Sequence, residues 1–269
     1  MGYQHLEVER KDHVGWLWLS RPDKRNAFSA DMWDDIPEAV GEMATDSSVR
    51  AIVVAGRGPA FTVGIDIGML AALAPSGPSD AAAKASLHRE IRRLQSTMTV
   101  FADSPKPVIA AIHGYCLGAG VDLITACDIR LATADAVFSV RETKLGIVAD
   151  VGTLQRLPRL ISPGHVAELV YTGGDFDAAF AHRTGLVNHV YDDVDELHEA
   201  ARGLAEAIAA NSPLAVEGSK AVLKAGEDMT TAQALEHVAL WNAAFLQSND
   251  LGEALSAFAE KRSPRFTGT

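Results

Sequence analysis

The chain has little cysteine, and the two residues of this type are not arranged as a binding motif. Cys116 and Cys127 are the only cysteines among 269 residues, and they do not form a Cys-x-x-Cys pair. This usage favours small buried thiols in a reducing compartment over a disulfide framework, a metal site or a catalytic thiol. We therefore predict no metal site.

Targeting and membrane-spanning patterns are also missing. The first residues, MGYQHLEVERKD, contain no apolar signal core, and the last residues, FTGT, do not form a peroxisomal address. No apolar run approaches the roughly 20 residues that a membrane-spanning helix needs. From these absences we expect a soluble, cytoplasmic protein without a membrane partner.

Positive charge is scarce. The chain carries 24 Lys and Arg against 35 Asp and Glu, which gives a formal net charge of −11. This balance argues against a nucleic-acid partner, although a local basic group could still hold a polyanionic small molecule. The hydrophobic content of 48% and charged content of 22% are typical of a globular protein that buries one large core or two modest ones.

Strand-length apolar runs alternate with helical patterns in the first two thirds of the chain, which favours an α/β fold. Strands are predicted at 6–9, 14–20, 50–56 and 108–112. Ser29 is a candidate cap for a helix from about Ala30, and Pro37 requires that helix to be kinked or to start later. A flexible loop is predicted at 71–80.

The remaining patterns are mostly helical. A helix from about residue 80 to 101 has an apolar stripe that we interpret as core packing, formed by Leu87, Ile91, Leu94 and Met98. From Val194 onward helices dominate, with breaks at Ser212–Pro213, near Gly226 and at Ser248–Asp250. We find no internal repeat.

Two glycine-rich segments follow the predicted strands. After the strand at 50–56, Gly56 and Gly58 begin a Rossmann-like pattern, but Phe61 replaces the third glycine, so we exclude dinucleotide binding. Gly64 then permits a turn that directs a backbone amide into a pocket.

The second glycine-rich segment, HGYCLGAG at 113–120, joins the strand at 108–112 to an apolar helix pattern. The amide of Ala119 would lie at the positive end of that helix. The amide of Ile65 is a candidate second donor. Two converging amides stabilise the oxygen of an ester or thioester that loses its α-proton. The alternative, a plain strand–helix turn, fits the segment equally well.

Three carboxylates follow this turn in the sequence: Asp122, Glu142 and Asp150. Each has a simpler explanation. Asp122 suits the start of a helix, Glu142 could pair with a neighbouring cation in SVRETKLG, and Asp150 could cap a helix at 151–157. Taken singly these explanations are stronger, and only convergence of the three acids would indicate acid–base chemistry.

Several segments in order resemble the enoyl-CoA hydratase/isomerase (crotonase) superfamily over nearly the whole chain. They are RPDKRNAF, AIVVAGRGPAFTVGIDI, PVIAAIHGYCLGAGVDL, CDIRLATADAVFSV, GTLQRLPRL and FAEKRSPRF. The resemblance implies an α/β crotonase-like fold, in which repeated ββα units form a spiral core. It also implies a core at 1–200 with the active site, and a helical trimerisation region at 201–269.

Within that superfamily the acids distinguish the reactions. Hydratases typically carry two glutamates at the positions of Asp122 and Glu142, and usually glycine at that of Asp150. The string GVDL…CDIR…ETKLGIVADVGTLQRLP instead resembles delta-3,5-delta-2,4-dienoyl-CoA isomerases, which carry Asp, Glu and Asp. The implied activity moves the double bonds of a 3,5-dienoyl-CoA in fatty-acid beta-oxidation. The alternatives are an enoyl-CoA hydratase and a non-catalytic or RNA-binding member.

The resemblance also implies roles for individual residues. One carboxylate cannot easily reach both carbons of the conjugated system, so two acids would share the proton transfer. Glu142 would face C2 and Asp150 would face C6, although the reverse is possible. Asp122 would orient Glu142 by a hydrogen bond. Ile65 and Ala119 would form the oxyanion hole. A dry pocket that raises the carboxylate pKa values would include Leu117, Val121 and Ile147.

A coenzyme A channel is implied as well, and Lys24 with Arg25 could supply charge to its phosphates. The positions that match substrate contacts are Arg25, Ala27, Val63, Asp66, Ile67, Leu117, Gly118, Lys261 and Phe266. The last two sometimes act from a neighbouring subunit. We expect no cofactor beyond the CoA of the substrate, and a homotrimer or homohexamer. His113, the histidine nearest the turn, is interpreted as structural.

Overall fold

The computed structural model describes residues 2–72 and 81–269. The strands in these ranges are β1 (Leu6–Lys11), β2 (Val14–Leu19), β3 (Ala51–Gly56), β4 (Val108–Ile112), β5 (Tyr115–Leu117), β6 (Ile129–Thr133), β7 (Val137–Ser139), β8 (Phe176–Asp177) and β9 (His189–Tyr191). The helices are α1 (Ala30–Thr45), α2 (Ile67–Ala72), α3 (Ala81–Asp103), α4 (Ala119–Thr125), α5 (Thr153–Arg156), α6 (Pro163–Thr172), α7 (Ala178–Thr184), α8 (Val194–Ala209), α9 (Pro213–Gly226), α10 (Thr231–Phe245) and α11 (Asn249–Glu260). The loop predicted at 71–80 overlaps the end of α2, and its remainder, 73–80, lies outside the described residues.

The main sheet has the strand order β1-β2-β3-β4-β6-β9. β1 and β2 form an antiparallel hairpin, in which Asp12 and His13 have φ values of +50° and +65°, as a tight hairpin turn requires. The remaining neighbours are parallel. Every residue of β3 and of β4 is buried, because both strands are apolar on both faces. The predicted strands are therefore confirmed.

Helices cover both faces of this sheet. Leu17, Ile52 and their alternating neighbours pack towards α1, α3 and α4, whereas Trp16 and Val53 pack towards α8. Helix α8 buries Ala201 and its neighbours against this second face. The proposed boundary between residues 200 and 201 falls within this helix, and the domain division remains a prediction.

A smaller sheet follows β4 and has the strand order β5-β7-β8. β5 pairs in parallel with β7, and β7 pairs antiparallel with β8. An isolated bridge joins Thr62 to Cys116, and another joins Phe28 to Ile65. These bridges join the segment before α1 to the loop after β3, and that loop to β5.

The sequence pattern predicts the start of α1 correctly and the buried face of α3 only in part. Helix α1 begins at Ala30 as predicted, with the Ser29 hydroxyl accepting the Met32 amide at 3.3 Å, and it continues through Pro37. In α3, Leu94 and Met98 are buried, but Leu87 is 44% exposed, so the core interpretation is wrong for Leu87. The reason is that the first turns of α3, 81–89, extend beyond the core.

The last third is helical and breaks where predicted. Helix α9 is held to the core by an ion pair between Lys220 and Asp128 at 2.6 Å. It packs against α10 through Gly218, where a Cβ would lie 2.5 Å from the Trp241 indole nitrogen. Within the described ranges, no helix is both long and apolar enough to cross a membrane.

Candidate active site

The candidate site lies at the carboxyl ends of β3 and β4, where ligand sites of parallel sheets are commonly found. The loop after β3 and the glycine turn after β4 are joined by backbone hydrogen bonds. The Thr62 amide donates to the Tyr115 carbonyl at 2.9 Å, and the Leu117 amide donates to the Thr62 carbonyl at 3.1 Å. The two predicted oxyanion loops are therefore direct neighbours.

Gly64 brings these loops into contact. It has a φ of +87°, and a Cβ there would lie 2.6 Å from the Leu117 carbonyl oxygen and 3.2 Å from the Ala119 nitrogen. Ala119 is the first residue of α4, whose cap Gly118 offers no side chain. Within residues 2–72 and 81–269, the amides of Ile65 and Ala119 donate no hydrogen bond. Both donors remain for an anionic oxygen.

Adding a methyl group at Gly64 is expected to be costly. Gly64→Ala should lower the free energy of unfolding by about 1–3 kcal/mol from backbone strain, and further through the contact with Leu117. Gly146→Ala is the matched control, because Gly146 has a φ of +72° but no atom within 4 Å of the added Cβ. Urea denaturation measures both variants. Equal losses would contradict the close approach of the two loops.

Asp122 is almost completely buried, at 1% exposure. Its carboxylate accepts the Thr153 amide at 2.6 Å. Burial raises the pKa of Asp122 to about 6, and the charge of Asp150 adds to the rise, while the hydrogen bonds from Thr153 oppose it. Among the described residues, Asp122 bonds to Thr153 and not to Glu142, so the expected hydrogen bond between the two acids is not formed.

Glu142 lies against the cap of α4. A Cβ on Gly118 would be 3.4 Å from its Oε1, and Ala119 is the next residue. Its Oε2 is buried and has no hydrogen-bond partner in the described part of the chain. Burial, followed by the charges of Asp122 and Asp150, raises the pKa of Glu142 to about 7. The simpler explanation as a surface ion pair fails.

Asp150 is half-buried, and burial raises its pKa. The simpler explanation predicts that it caps a helix. The cap of α5 is instead Gly152, which has a φ of +137° and no side-chain hydrogen bond. The charge of Asp150 acts on the pKa values of both Asp122 and Glu142. The three acids thus form one electrostatic group.

The loop before α1 depends on a residue that sequence reasoning missed. Asn26 is fully buried, and its amide donates to the carbonyls of Arg57 and Ala60 at 2.9 and 2.8 Å. It fixes Arg25, whose guanidinium lies 5.6 Å from the Tyr115 ring centroid. The sequence signal for this role is the position of Asn26, a short amide side chain between two cationic residues and the apolar pair Ala-Phe.

The residues predicted to line a coenzyme A channel differ in what holds them. Asp66 accepts hydrogen bonds from the Arg21 guanidinium at 2.7 Å and from the Gly68 amide at 2.7 Å. The bond from Arg21, followed by the bond from Gly68, lowers the pKa of Asp66. The Val63 amide donates to the Arg25 carbonyl at 3.1 Å. Apart from the two tail residues, the remaining residues of this set are buried (Ala27), partly buried (Leu117 and Gly118) or 81% exposed (Ile67).

The two predicted contacts from the tail lie away from the site within one chain. The carbonyl of Phe266 accepts from Arg50 at 2.7 Å, just before β3 and therefore at the opposite end of that strand. Lys261 is exposed at the end of α11 and makes no hydrogen bond or ion pair with the site residues among those described. A single chain does not bring them together with the acids.

The structure bears on the burial of the predicted pocket residues and on the role of His113. Val121 is buried and Leu117 partly buried, but Ile147 is 37% exposed, so burial within one chain does not support a dry environment at Ile147. One ring nitrogen of His113 bonds to the Gly58 carbonyl at 2.9 Å, which supports the structural interpretation.

The arrangement suits proton transfer next to an anionic oxygen. Gly64, next to Ile65, lies close to the Ala119 amide, and Glu142 lies against Gly118 with a pKa of about 7, close to neutral pH. In the part of the chain that is described, no three His, Cys, Asp or Glu residues are grouped so that they could hold a metal ion.

Comparisons with known proteins agree with this chemistry. The model of the family described as Enoyl-CoA hydratase/isomerase matches residues 9–269. A Dictyostelium discoideum protein named Delta(3,5)-Delta(2,4)-dienoyl-CoA isomerase, mitochondrial, is 44% identical, covering 98% of this chain and 92% of its own. The Arabidopsis thaliana protein of the same name, peroxisomal, is 42% identical over 98% and 97%. A solved enoyl-CoA hydratase from Bacillus anthracis has a TM-score of 0.90 at 32% identity, over 99% of this chain and all of that one.

The expected cytoplasmic location is wrong. The similar proteins from Dictyostelium discoideum and Mus musculus are named mitochondrial, and that from Arabidopsis thaliana is named peroxisomal. The expectation failed because scarce cysteine and short apolar runs do not distinguish the cytoplasm from the interior of these organelles.

Proposed function

The chain belongs to the enoyl-CoA hydratase/isomerase family, and from this premise we propose that it converts a 3,5-dienoyl-CoA to a 2,4-dienoyl-CoA. The observation that carries the proposal is Asp150, a third carboxylate that does not cap α5 and whose charge reaches both other acids. The expected crotonase-like fold is confirmed by the likeness to the solved hydratase.

The first step breaks the bond between C2 and its proton. The thioester oxygen accepts hydrogen bonds from the amides of Ile65 and Ala119, and Glu142 takes the proton as its general base. The electron pair of the broken bond spreads over the oxygen, C2, C4 and C6. The position of Glu142 against Gly118 supports its assignment to C2, because the oxyanion amide is on the next residue.

The second step forms a bond between C6 and a proton that protonated Asp150 supplies. Double bonds then lie at C2–C3 and C4–C5. Burial raises the pKa of Asp150, which favours the protonated form that an acid needs. Asp122 contributes its buried negative charge, which raises the pKa of Glu142 towards the working pH.

The pH dependence tests this division of roles. We expect kcat/KM to rise with pH through an apparent pKa of about 7, because Glu142 must be ionised. Asp122→Asn removes a negative charge that disfavours ionised Glu142, so the rising limb should move to lower pH. A limb that stays in place or moves to higher pH would contradict the coupling of these acids.

The runner-up is hydration of a 2-enoyl-CoA by Asp122 and Glu142, which the similarity to solved enoyl-CoA hydratases favours. Purified protein offered a 3,5-dienoyl-CoA and a 2-enoyl-CoA in parallel separates the two. With the first substrate we expect the absorbance of a diene conjugated with the thioester carbonyl, called diene absorbance below, to appear. With the second we expect little loss of enoyl absorbance. Hydration alone would favour the runner-up, and no reaction with either would favour the non-catalytic alternative.

For the substrate's CoA we propose a channel lined by the DKRNAF loop and the loop after β3, with Lys24 and Arg25 near the phosphates. The mechanism requires no further cofactor. We place the reaction in fatty-acid beta-oxidation, where unsaturated chains supply 3,5-dienoyl-CoA.

We further propose a homotrimer or homohexamer in which Lys261 and Phe266 serve a neighbouring subunit. Support comes from α10 and α11, which expose large apolar side chains, among them Leu235, Leu240, Leu255 and Phe258. Light scattering during size-exclusion chromatography tests this assembly. A monomeric mass at micromolar concentration would contradict it.

A further inference from the structure

The turn that carries Asp150 is held from two sides, by Gln95 on α3 and by the carboxylate of Asp122. On one side, the Gln95 amide nitrogen donates to the Asp150 carbonyl at 2.7 Å. On the other, the Thr153 amide donates to the buried carboxylate of Asp122 at 2.6 Å. The backbone on both flanks of the Asp150 side chain is therefore fixed.

Arg156 provides a third attachment. Its guanidinium donates to the Thr99 hydroxyl at 2.8 Å and approaches the Val151 carbonyl at 3.5 Å. The same group occupies the space where a Cβ on Gly152 would lie. Since Gly152 also has a φ of +137°, only glycine fits this position without strain.

Gln95 and Thr99 lie one turn apart on α3, and the Thr99 hydroxyl also donates to the Gln95 carbonyl at 2.7 Å. One face of α3 thus holds the Asp150 turn at Asp150 directly and at Val151 through Arg156. We call Gln95, Thr99 and Arg156 the α3 clamp.

We propose that the α3 clamp positions Asp150 to protonate C6, which rests on the proposed function. A free turn would leave Asp150 at variable distance from C6, which lies four bonds beyond C2. Displacing a reacting group by about 1 Å can lower a rate by about 10²-fold. In the described part of the chain, the clamp side chains make no hydrogen bond or ion pair with Glu142 or with the amides of Ile65 and Ala119. We therefore expect removal of the C2 proton not to depend on the clamp.

The test uses the two partial reactions. In deuterium oxide, loss of the C2 proton signal measures the first step, and diene absorbance measures the whole reaction. We expect Gln95→Met and Thr99→Val to slow diene formation by about 10- to 100-fold, with little change in C2 exchange. Thr99→Ser keeps the hydroxyl and should restore diene formation.

Thr97→Val is the matched control. Thr97 also lies on α3, but its hydroxyl donates to the Trp33 carbonyl on α1. It should lower thermal stability while leaving the ratio of diene formation to C2 exchange unchanged. Equal loss of both partial reactions in the clamp variants, or no loss, overturns the proposal while wild-type isomerisation stands. Failure of the wild type to isomerise overturns the proposed function and the clamp together.

Discussion

Replacement of Asp150 by asparagine is expected to slow diene formation by about 10²–10⁴-fold, the contribution typical of a general acid. Asparagine has nearly the same shape but cannot give the proton that C6 needs. C2 exchange should persist, because Glu142 and the oxyanion amides are intact. Diene absorbance and proton exchange, measured on the same enzyme sample, give both rates.

The same substitution separates catalysis from a role in helix capping. Asparagine caps helices about as well as aspartate, so a mere cap at position 150 would tolerate the change. Asp193→Asn is the control, because Asp193 does cap α8 by accepting the Glu196 amide at 2.9 Å. We expect normal diene formation from it. An Asp150→Asn enzyme as fast as wild type would contradict the proposed acid.

Replacement of Glu142 by glutamine is expected to lower both diene formation and C2 exchange by about 10²–10⁴-fold. The reason is that Glu142 is the carboxylate that lies against Gly118, the cap of α4. Substrate binding should change little, since glutamine preserves the shape of the side chain. Rates at saturating substrate, together with the dissociation constant of a non-reacting acyl-CoA, distinguish the two effects.

A matched control for this variant is Glu168→Gln, an exposed residue of α6. It should leave both rates unchanged. If Glu142→Gln abolished diene formation but kept C2 exchange, Glu142 would serve C6, and the two acids would have to exchange roles.

The sequence predicted most of the elements that position this site. Strands β3 and β4 were recognised because each is a short run that is apolar on both faces. The start of α4 is predictable because Gly114 and Gly118 lie just before it, and both have positive φ. These signals are local, so spacing alone was sufficient.

Other features depend on contacts between distant segments. The buried amide of Asn26 is meaningful only beside the carbonyls of Arg57 and Ala60, which lie more than 30 positions away. The attachment of the Asp150 turn to Gln95 spans 55 positions. The partial exposure of α3 at Leu87 reflects where the core ends, which helical periodicity does not encode.

The convergence of the acids is the intermediate case. The sequence placed Asp122, Glu142 and Asp150 near one turn, but each had a simpler explanation. The structure removes two of these, because Arg141 pairs with Asp175 at 2.6 Å instead of Glu142, and Gly152 caps α5. The assignment of Glu142 to C2 and of Asp150 to C6 stays a proposal, which measurements of the reaction must test.

The most direct measurement of the central claim is the position of deuterium in the product. A 3,5-dienoyl-CoA converted in deuterium oxide should give a 2,4-dienoyl-CoA that carries deuterium at C6, as proton and deuterium magnetic resonance would detect. This result requires an acid at C6 whose proton exchanges with solvent. A hydroxyacyl product, or recovered substrate labelled at C2 alone, would contradict the proposed isomerisation.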